Sequence, residues 1–220
     1  MELFRPQNMS SVFLYTDAEK EFLEKLKPFA KTDWDNAIDP NKNERGFASK
    51  RDELKKRIKE ELYNIQGDFC IYCGMNFERT TPHQDHIAPK HSHNEFIFEP
   101  QNLVLACPTC NDINMKSGRE TIDIKNPVDY HKCTFLIVHP YFDNYEDHIE
   151  FVSNQKEQKI LIKSKSLKGK RTIEMFNLDN TELSNKRAAF AYQDSIKIDE
   201  ETAKEIDIIL NAKYNLIYKI

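Results

Sequence analysis

Apolar residues recur at helical spacing in two N-terminal stretches and then give way to short strand-like runs, so the chain reads as helices first and a mixed body after them. Thr16-Asp17-Ala18-Glu19 has the Thr-x-x-Glu form of a capping box and precedes Phe22, Leu23, Leu26 and Phe29 at helical spacing, with Pro28 near the end. In the second stretch Ser49 can cap a helix, Leu54, Ile58 and Leu62 repeat every fourth residue, Ile65 continues that face, and Gly67 supplies a stop. Gln84 to Ile87 reads as a short strand ended by Pro89, and Leu103-Val104-Leu105-Ala106 as a buried strand. Pro108 fits the first turn of a helix continuing to Lys116 and stopping at Gly118. Further on, Phe135 to Val138, His148 to Val152 and Lys159 to Ile162 have strand character. Helices around Thr181 to Gln193 and Glu200 to Ala212 close the chain, with Leu183, Phe190, Ile206, Ile209 and Leu210 on their apolar faces. The pattern divides the chain into an N-terminal helical region (1–66), a central segment (67–120) and a mixed extension (121–220). No Gly/Ser-rich or Pro-rich linker separates them and no internal repeat is visible, which predicts one continuous body.

Composition narrows this picture. The 220 residues suffice for one well-packed core but not for several independent domains. At 39% hydrophobic and 31% charged, the chain reads as globular. It has no run of about 18 or more apolar residues, and Met1-Glu2-Leu3-Phe4-Arg5 lacks the charged and apolar regions of a signal peptide, so the expectation is a cytoplasmic protein with no membrane contact. A formal net charge of -4 argues against indiscriminate nucleic-acid binding, which rests on a basic surface. Locally, Lys163, Lys165, Lys168, Lys170 and Arg171 occur with no acid among them, in keeping with either a solvated face or phosphate tracking. The earlier cluster of Lys50, Arg51, Lys55, Lys56, Arg57 and Lys59 is mixed with Asp52, Glu53, Glu60 and Glu61 and reads as a solvated face.

The chemistry concentrates in the central segment. Four of the five cysteines form two pairs, Cys70-x-x-Cys73 and Cys107-x-x-Cys110, the spacing of a tetrahedral thiolate Zn²⁺ site, because each knuckle presents two sulfurs from one tight turn. Cys133 remains as an inert thiol, which suits a reducing compartment better than a disulfide framework. The interval between the knuckles contains Asp85, His86 and Asn102, and Cys110 runs directly into Asn111. Hydrolysis of a phosphodiester needs an activated water, a cation on the phosphoryl oxygens and stabilisation of the leaving oxygen. Asp85 can hold a hard divalent cation, Asn111 offers a second oxygen, and His86 can accept a proton because imidazole titrates near neutral pH. An Asp and Asn pair favours Mg²⁺ or Mn²⁺ over zinc. Adjacent strand residues face opposite ways, so Asp85 and His86 serve one site only where the strand ends or twists. A zinc module whose polar residues satisfy loop hydrogen bonds is the alternative. His83, His91 and His93 read as surface histidines, and His139 and His148 as packed or hydrogen-bonded ones.

The ordered set of Cys70-x-x-Cys73, Asp85-His86-Ile87-x-Pro89, Asn102-Leu103 and Cys107-x-x-Cys110-Asn111 with Lys116 resembles the zinc-stapled branch of the HNH endonucleases. The resemblance covers roughly Phe69 to Gly118. It implies an α+β protein with a ββα-metal nuclease core stapled by a four-cysteine zinc site, flanked by N-terminal helices and a mixed C-terminal extension. It further implies Asp85 and Asn111 as ligands of one catalytic Mg²⁺ or Mn²⁺, His86 as general base, and Asn102 as the residue that pins the loop and orients His86. Many members carry His where this chain has Asn111, and the usual helix lysine is displaced, since Asn114 stands three residues after Asn111 and Lys116 two later. The implied activity is cleavage of DNA phosphodiesters to 5′-phosphate and 3′-hydroxyl ends, with Lys116, Lys168, Lys170 and Arg171 as candidate phosphate contacts. A non-catalytic zinc-dependent nucleic-acid-binding or scaffold subunit is the rival expectation. Beyond the core, His139-Pro140-Tyr141-Phe142-Asp143, Glu146-Asp147-His148-Ile149 and Gly169-x-x-Thr172-Ile173 resemble the tails of HNH subunits from bacterial anti-phage systems such as Septu-type and retron-linked loci. That likeness implies an ABC or SMC-like ATPase partner.

Overall fold

Helix α1 (Asp17–Leu26) begins on the expected capping box: the Thr16 side chain accepts from the Glu19 N–H, and the Glu19 carboxylate accepts from the Thr16 N–H at 2.7 Å. A computed structural model describes residues 8–35, 46–77, 80–112, 115–116, 118–153 and 159–195. The expected helix from Glu200 to Ala212 lies outside the described residues. Helix α2 (Phe47–Gln66) starts two residues before the Ser49 cap suggested by the sequence, because Gly46 at φ 90° turns the chain into it, and it ends at Gly67 as expected, with φ 76°. Its buried face is Phe47, Arg51, Leu54, Ile58, Leu62 and Gln66, and Arg57 ties it back to Glu19 of α1.

The last turn of α2 places the site. Gln66 donates to the carbonyls of Phe69 (2.6 Å) and Leu105 (2.7 Å) and accepts from the Leu105 N–H (2.8 Å), so one side chain clamps the helix end to a strand. That strand, β2 (Leu103–Ala106), is fully buried and pairs antiparallel with β1 (His83–His86), with His83 opposite Ala106, Asp85 opposite Val104 and His86 opposite Leu103. The first knuckle lies against β2 through Ile71 N–H to Leu105 carbonyl at 3.2 Å. After Cys107 the chain makes turns, not the expected helix, among the described residues. Asn111 bonds back to Cys107, and then Asp112 to Thr109 and Met115 to Asp112 close three-residue turns. Thr109, Asn111 and Asp112 are residues whose side chains compete for backbone hydrogen bonds, which accounts for the loss of helical continuity.

Two further hairpins follow: β3 (Ile122–Ile124) with β4 (Thr134–Phe135), and β5 (Ile149–Ser153) with β6 (Lys159–Ser164). The expected strand over 135–138 is thus shortened to its start. A four-residue helix α3 (Tyr145–His148) leads into β5. Helix α4 (Leu167–Phe176), absent from the sequence reading, is capped by Ser166 and carries Lys168, Lys170 and Arg171; α5 (Thr181–Ser195) lies where a helix was expected. The buried apolar residues form one cluster running from Phe13 and Leu26 through the β1–β2 hairpin to Phe176 and Leu178. Mixed helices and short strands make this an α+β chain. No helix among the described residues is long and apolar enough to cross a membrane.

Candidate active site

The four knuckle cysteines meet. Their sulfurs lie within 4.8 Å of one another and are buried, a donor set suited to Zn²⁺. The Cys107 N–H points to the Cys70 sulfur (3.3 Å) and the Cys110 N–H to the Cys107 sulfur (3.4 Å), the backbone support that thiolates require. Hydrogen bonding from Cys110, Cys70 and Cys73 pulls the Cys107 thiol well down, and hydrogen bonding with Cys107 pushes Cys73 and Cys110 up. A cation bound among the four sulfurs would favour their thiolate forms.

Asp85, on β1, is 6% exposed and both its oxygens are engaged. The Tyr72 hydroxyl, from inside the first knuckle, donates to Oδ2 at 2.5 Å, and the Lys116 ammonium reaches Oδ1 at 3.0 Å and Oδ2 at 2.9 Å. Lys116 also donates to the His86 carbonyl and is only 2% exposed. Three oxygens therefore converge on one cation, an all-oxygen seat of the kind a hard metal ion uses, and here the cation is a side chain. Lys116 faces inward in this arrangement.

His86 ends β1, and its ring is held by Ile97 and Trp34. Its Nε2 lies 3.0 Å from the Ile97 carbonyl, which fixes the proton on Nε2 and leaves Nδ1 with its lone pair. The indole of Trp34 packs edge-on against the imidazole at a centroid distance of 4.6 Å. Burial, then the charge of Lys90, depress the ring to a pKa of about 3; the Ile97 carbonyl works in the opposite direction, and Lys116 and Lys55 add to the depression. The ring is a weaker base here than its residue type suggests. Lys90 pairs with Asp35 (2.7 Å), and Lys55 donates to the Trp34 carbonyl (2.9 Å) while lying over its ring.

Asn102 is completely buried and pins the loop that joins β1 to β2. Its Oδ1 accepts from the Ala88 N–H (2.6 Å) and the Tyr130 hydroxyl (2.9 Å), and its Nδ2 donates to the Phe96 carbonyl (2.9 Å). Asn111 lies nearer the surface, with its amide 3.3 Å from Nδ1 of His83, two residues before Asp85 on the same strand face. Lys168 pairs with Asp143 at 2.8 Å, Lys170 approaches Glu174 at 3.7 Å, and Arg171 is exposed, all on α4. A cavity of about 340 Å³ lies behind the pinned loop, lined by Phe96, Phe98, Glu99 and Tyr130 among others, and includes none of Asp85, His86 or Asn111.

Sequence reasoning missed Trp34, Tyr72 and Tyr130, and it assigned His139 only a packed or hydrogen-bonded place. Tyr72 lies between the two cysteines of the first knuckle and Trp34 is the single tryptophan, but nothing local announces what either touches. None of the curated proteins compared with the chain matches it. Residues 70–117, which hold both knuckles, the β1–β2 hairpin and its pinned loop, match the family model of the HNH endonuclease, and the chain carries an HNH endonuclease domain over that segment.

Proposed function

We propose that the chain is an endonuclease that hydrolyses DNA phosphodiester bonds with one Mg²⁺ or Mn²⁺. The observation that carries the reading is the three-oxygen cation seat at Asp85 beside a histidine whose Nδ1 is held free by the bond from Nε2 to Ile97. The donors fit a hard metal ion: the Asp85 carboxylate and the Asn111 amide oxygen would hold it, with Lys116 giving up its place on Asp85. When bound, such an ion supplies Lewis-acid stabilisation of the phosphoryl and leaving oxygens. His86 Nδ1 takes the proton of the attacking water; burial does most to hold the ring's basicity down, and a phosphate anion drawn close offsets the further part due to the positive charges of Lys90, Lys116 and Lys55. Trp34 excludes bulk water from the imidazole. Asn102 holds the loop so that Ile97 keeps the ring in one tautomer. Lys170 and Arg171, exposed on α4, are proposed to meet the substrate backbone.

A second reading has its own support. With Asp85 fully occupied and His86 covered, the domain matches a resting state, and a nucleic-acid-binding or scaffold subunit would need no rearrangement. A role in anti-phage defence beside an ATPase rests on the likeness of the segment after His139. Purified protein on plasmid, single-stranded DNA and RNA, each with Mg²⁺, Mn²⁺ or no added divalent ion, tests the choice. Metal-dependent cutting of DNA supports the endonuclease, and a gel shift with no cutting under any condition supports the binding subunit.

A further inference from the structure

Beyond the HNH segment, the extension contributes a hydrogen-bonded relay that ends on the loop of the site. His139 is completely buried and its ring is stacked on Phe142 at a centroid distance of 4.2 Å. Its Nδ1 faces the Tyr141 N–H at 3.3 Å and must accept, so the ring proton is on Nε2. Nε2 lies 3.0 Å from the Tyr130 hydroxyl, and that hydroxyl has one hydrogen, which goes to Asn102 Oδ1 at 2.9 Å. Burial holds the His139 pKa well down, in keeping with a ring that carries a single proton. The amide of Asn102 is oriented independently, because the Ala88 N–H requires an acceptor and the Phe96 carbonyl a donor. Every donor in the series meets an acceptor, so the direction of the chain from Tyr141 through His139 and Tyr130 to Asn102 is fixed. Asn102 thus holds the Phe96–Ile97 peptide, and the next peptide along, Ile97–Phe98, carries the Ile97 carbonyl that binds His86.

We infer that Tyr130 and His139, both outside the HNH segment, are positioning residues for His86, acting through Asn102 and the Phe96–Ile97 peptide. The inference rests on His86 as the proton acceptor of the reaction. It makes the extension part of the catalytic apparatus: the matched segment supplies the reacting groups, and the extension supplies the rigidity that holds one of them. Loss of the Tyr130 hydroxyl leaves the His139 N–H without an acceptor and Asn102 Oδ1 with one donor where it had two. The loop then gains freedom at the carbonyl that selects the His86 tautomer.

The test compares Tyr130→Phe, His139→Leu and His139→Gln with the wild-type full-length protein. Cleavage of plasmid DNA gives kcat and KM, metal analysis gives zinc content, and ring-nitrogen NMR of labelled histidine, with the His86 signal assigned by its loss in His86→Gln, reports the tautomer. Tyr130→Phe and His139→Leu are expected to lower kcat about 10- to 100-fold, as loss of an outer partner does at metal sites, with KM and zinc content unchanged and the His86 signal moved from the single Nε2–H form. His139→Gln, which keeps a side-chain N–H to donate, is expected to restore most of kcat. Wild-type kcat or an unmoved His86 signal in Tyr130→Phe would overturn the inference, as would a His139→Gln variant no better than His139→Leu or general unfolding on loss of the hydroxyl alone. If the wild-type protein does not cut DNA, the endonuclease reading fails, and the His86 signal in the same variants decides the positioning claim by itself.

Discussion

Replacing Lys116 with methionine keeps the unbranched four-atom stem of the side chain and deletes the ammonium at its end, a perturbation aimed at the centre of the site. In the native protein the ammonium touches both Asp85 oxygens, at 3.0 and 2.9 Å, and the His86 carbonyl, while Asp85 is 6% exposed. After Lys116→Met the carboxylate keeps only the Tyr72 hydroxyl. Removing one partner of a buried ion pair costs roughly 3–5 kcal/mol, because the other charge stays desolvated. At about 2–4 °C per kcal/mol for a chain of this length, the melting temperature in zinc-loaded protein free of other divalent ions should fall by about 10 °C. If Asp85 is a cation seat, Mg²⁺ should recover part of the loss, about 2.7 kcal/mol at a hundred times its dissociation constant, and should stabilise the variant more than the wild type. Calorimetric melting of both proteins across a Mg²⁺ series measures each effect. A variant that melts with the wild type would refute the ion pair as a structural element. A destabilised variant that Mg²⁺ does not rescue would keep the pair and remove Asp85 from the metal.

Three other outcomes are expected from other parts of the fold. His86 is held neutral by burial at a pKa of about 3, below its unfolded value of about 6.5; its contribution is therefore complete above pH 6.5 and is lost as pH falls toward 3, about 2 kcal/mol by pH 5. Urea unfolding at pH 7.5 and pH 5 should show that loss in the wild type and a smaller one in His86→Gln, and equal losses would contradict it. One zinc per chain is expected by metal analysis, and its removal should disorder the hairpin and abolish cleavage until zinc is returned, whereas a zinc-free chain with native circular dichroism and activity would contradict the staple. A Cβ on Gly169 would lie 1.9 Å from the His148 carbonyl oxygen, so Gly169→Ala should displace α4 and cost about 1–3 kcal/mol by thermal melting, against no change if the helix can move freely.

What the sequence revealed was whatever depends on short intervals. The Thr16–Glu19 box, the four-residue repeat of Leu54, Ile58 and Leu62, and the stop at Gly67 each act within one helix and were legible there. The two knuckles were legible because each closes within four residues. Helix α4 was not, since Lys168, Lys170 and Arg171 drew attention to charge while Thr172, Ile173 and Phe176 make its buried face. The turns after Cys107 were misread because Pro108 suits a first turn but cannot compel a second one through Thr109, Asn111 and Asp112. In the site, the order of Asp85, His86, Asn102 and Asn111 pointed to the hairpin. The contacts that set its chemistry join residues far apart in the chain: Lys116 to Asp85, Trp34 to His86, Tyr130 to Asn102. No local pattern encodes such a pairing, because the partners meet only after the core around β2 has formed.

The proposed function makes His86 the proton acceptor in a metal-dependent cleavage of DNA. The most direct measurement is the cleavage rate of His86→Ala beside the wild type under saturating Mg²⁺ and Mn²⁺, on protein of equal zinc content and native circular dichroism. Metal-dependent cutting by the wild type is expected, with a loss of at least about 100-fold in the variant, the scale of general-base catalysis. Cutting by His86→Ala at the wild-type rate would contradict it.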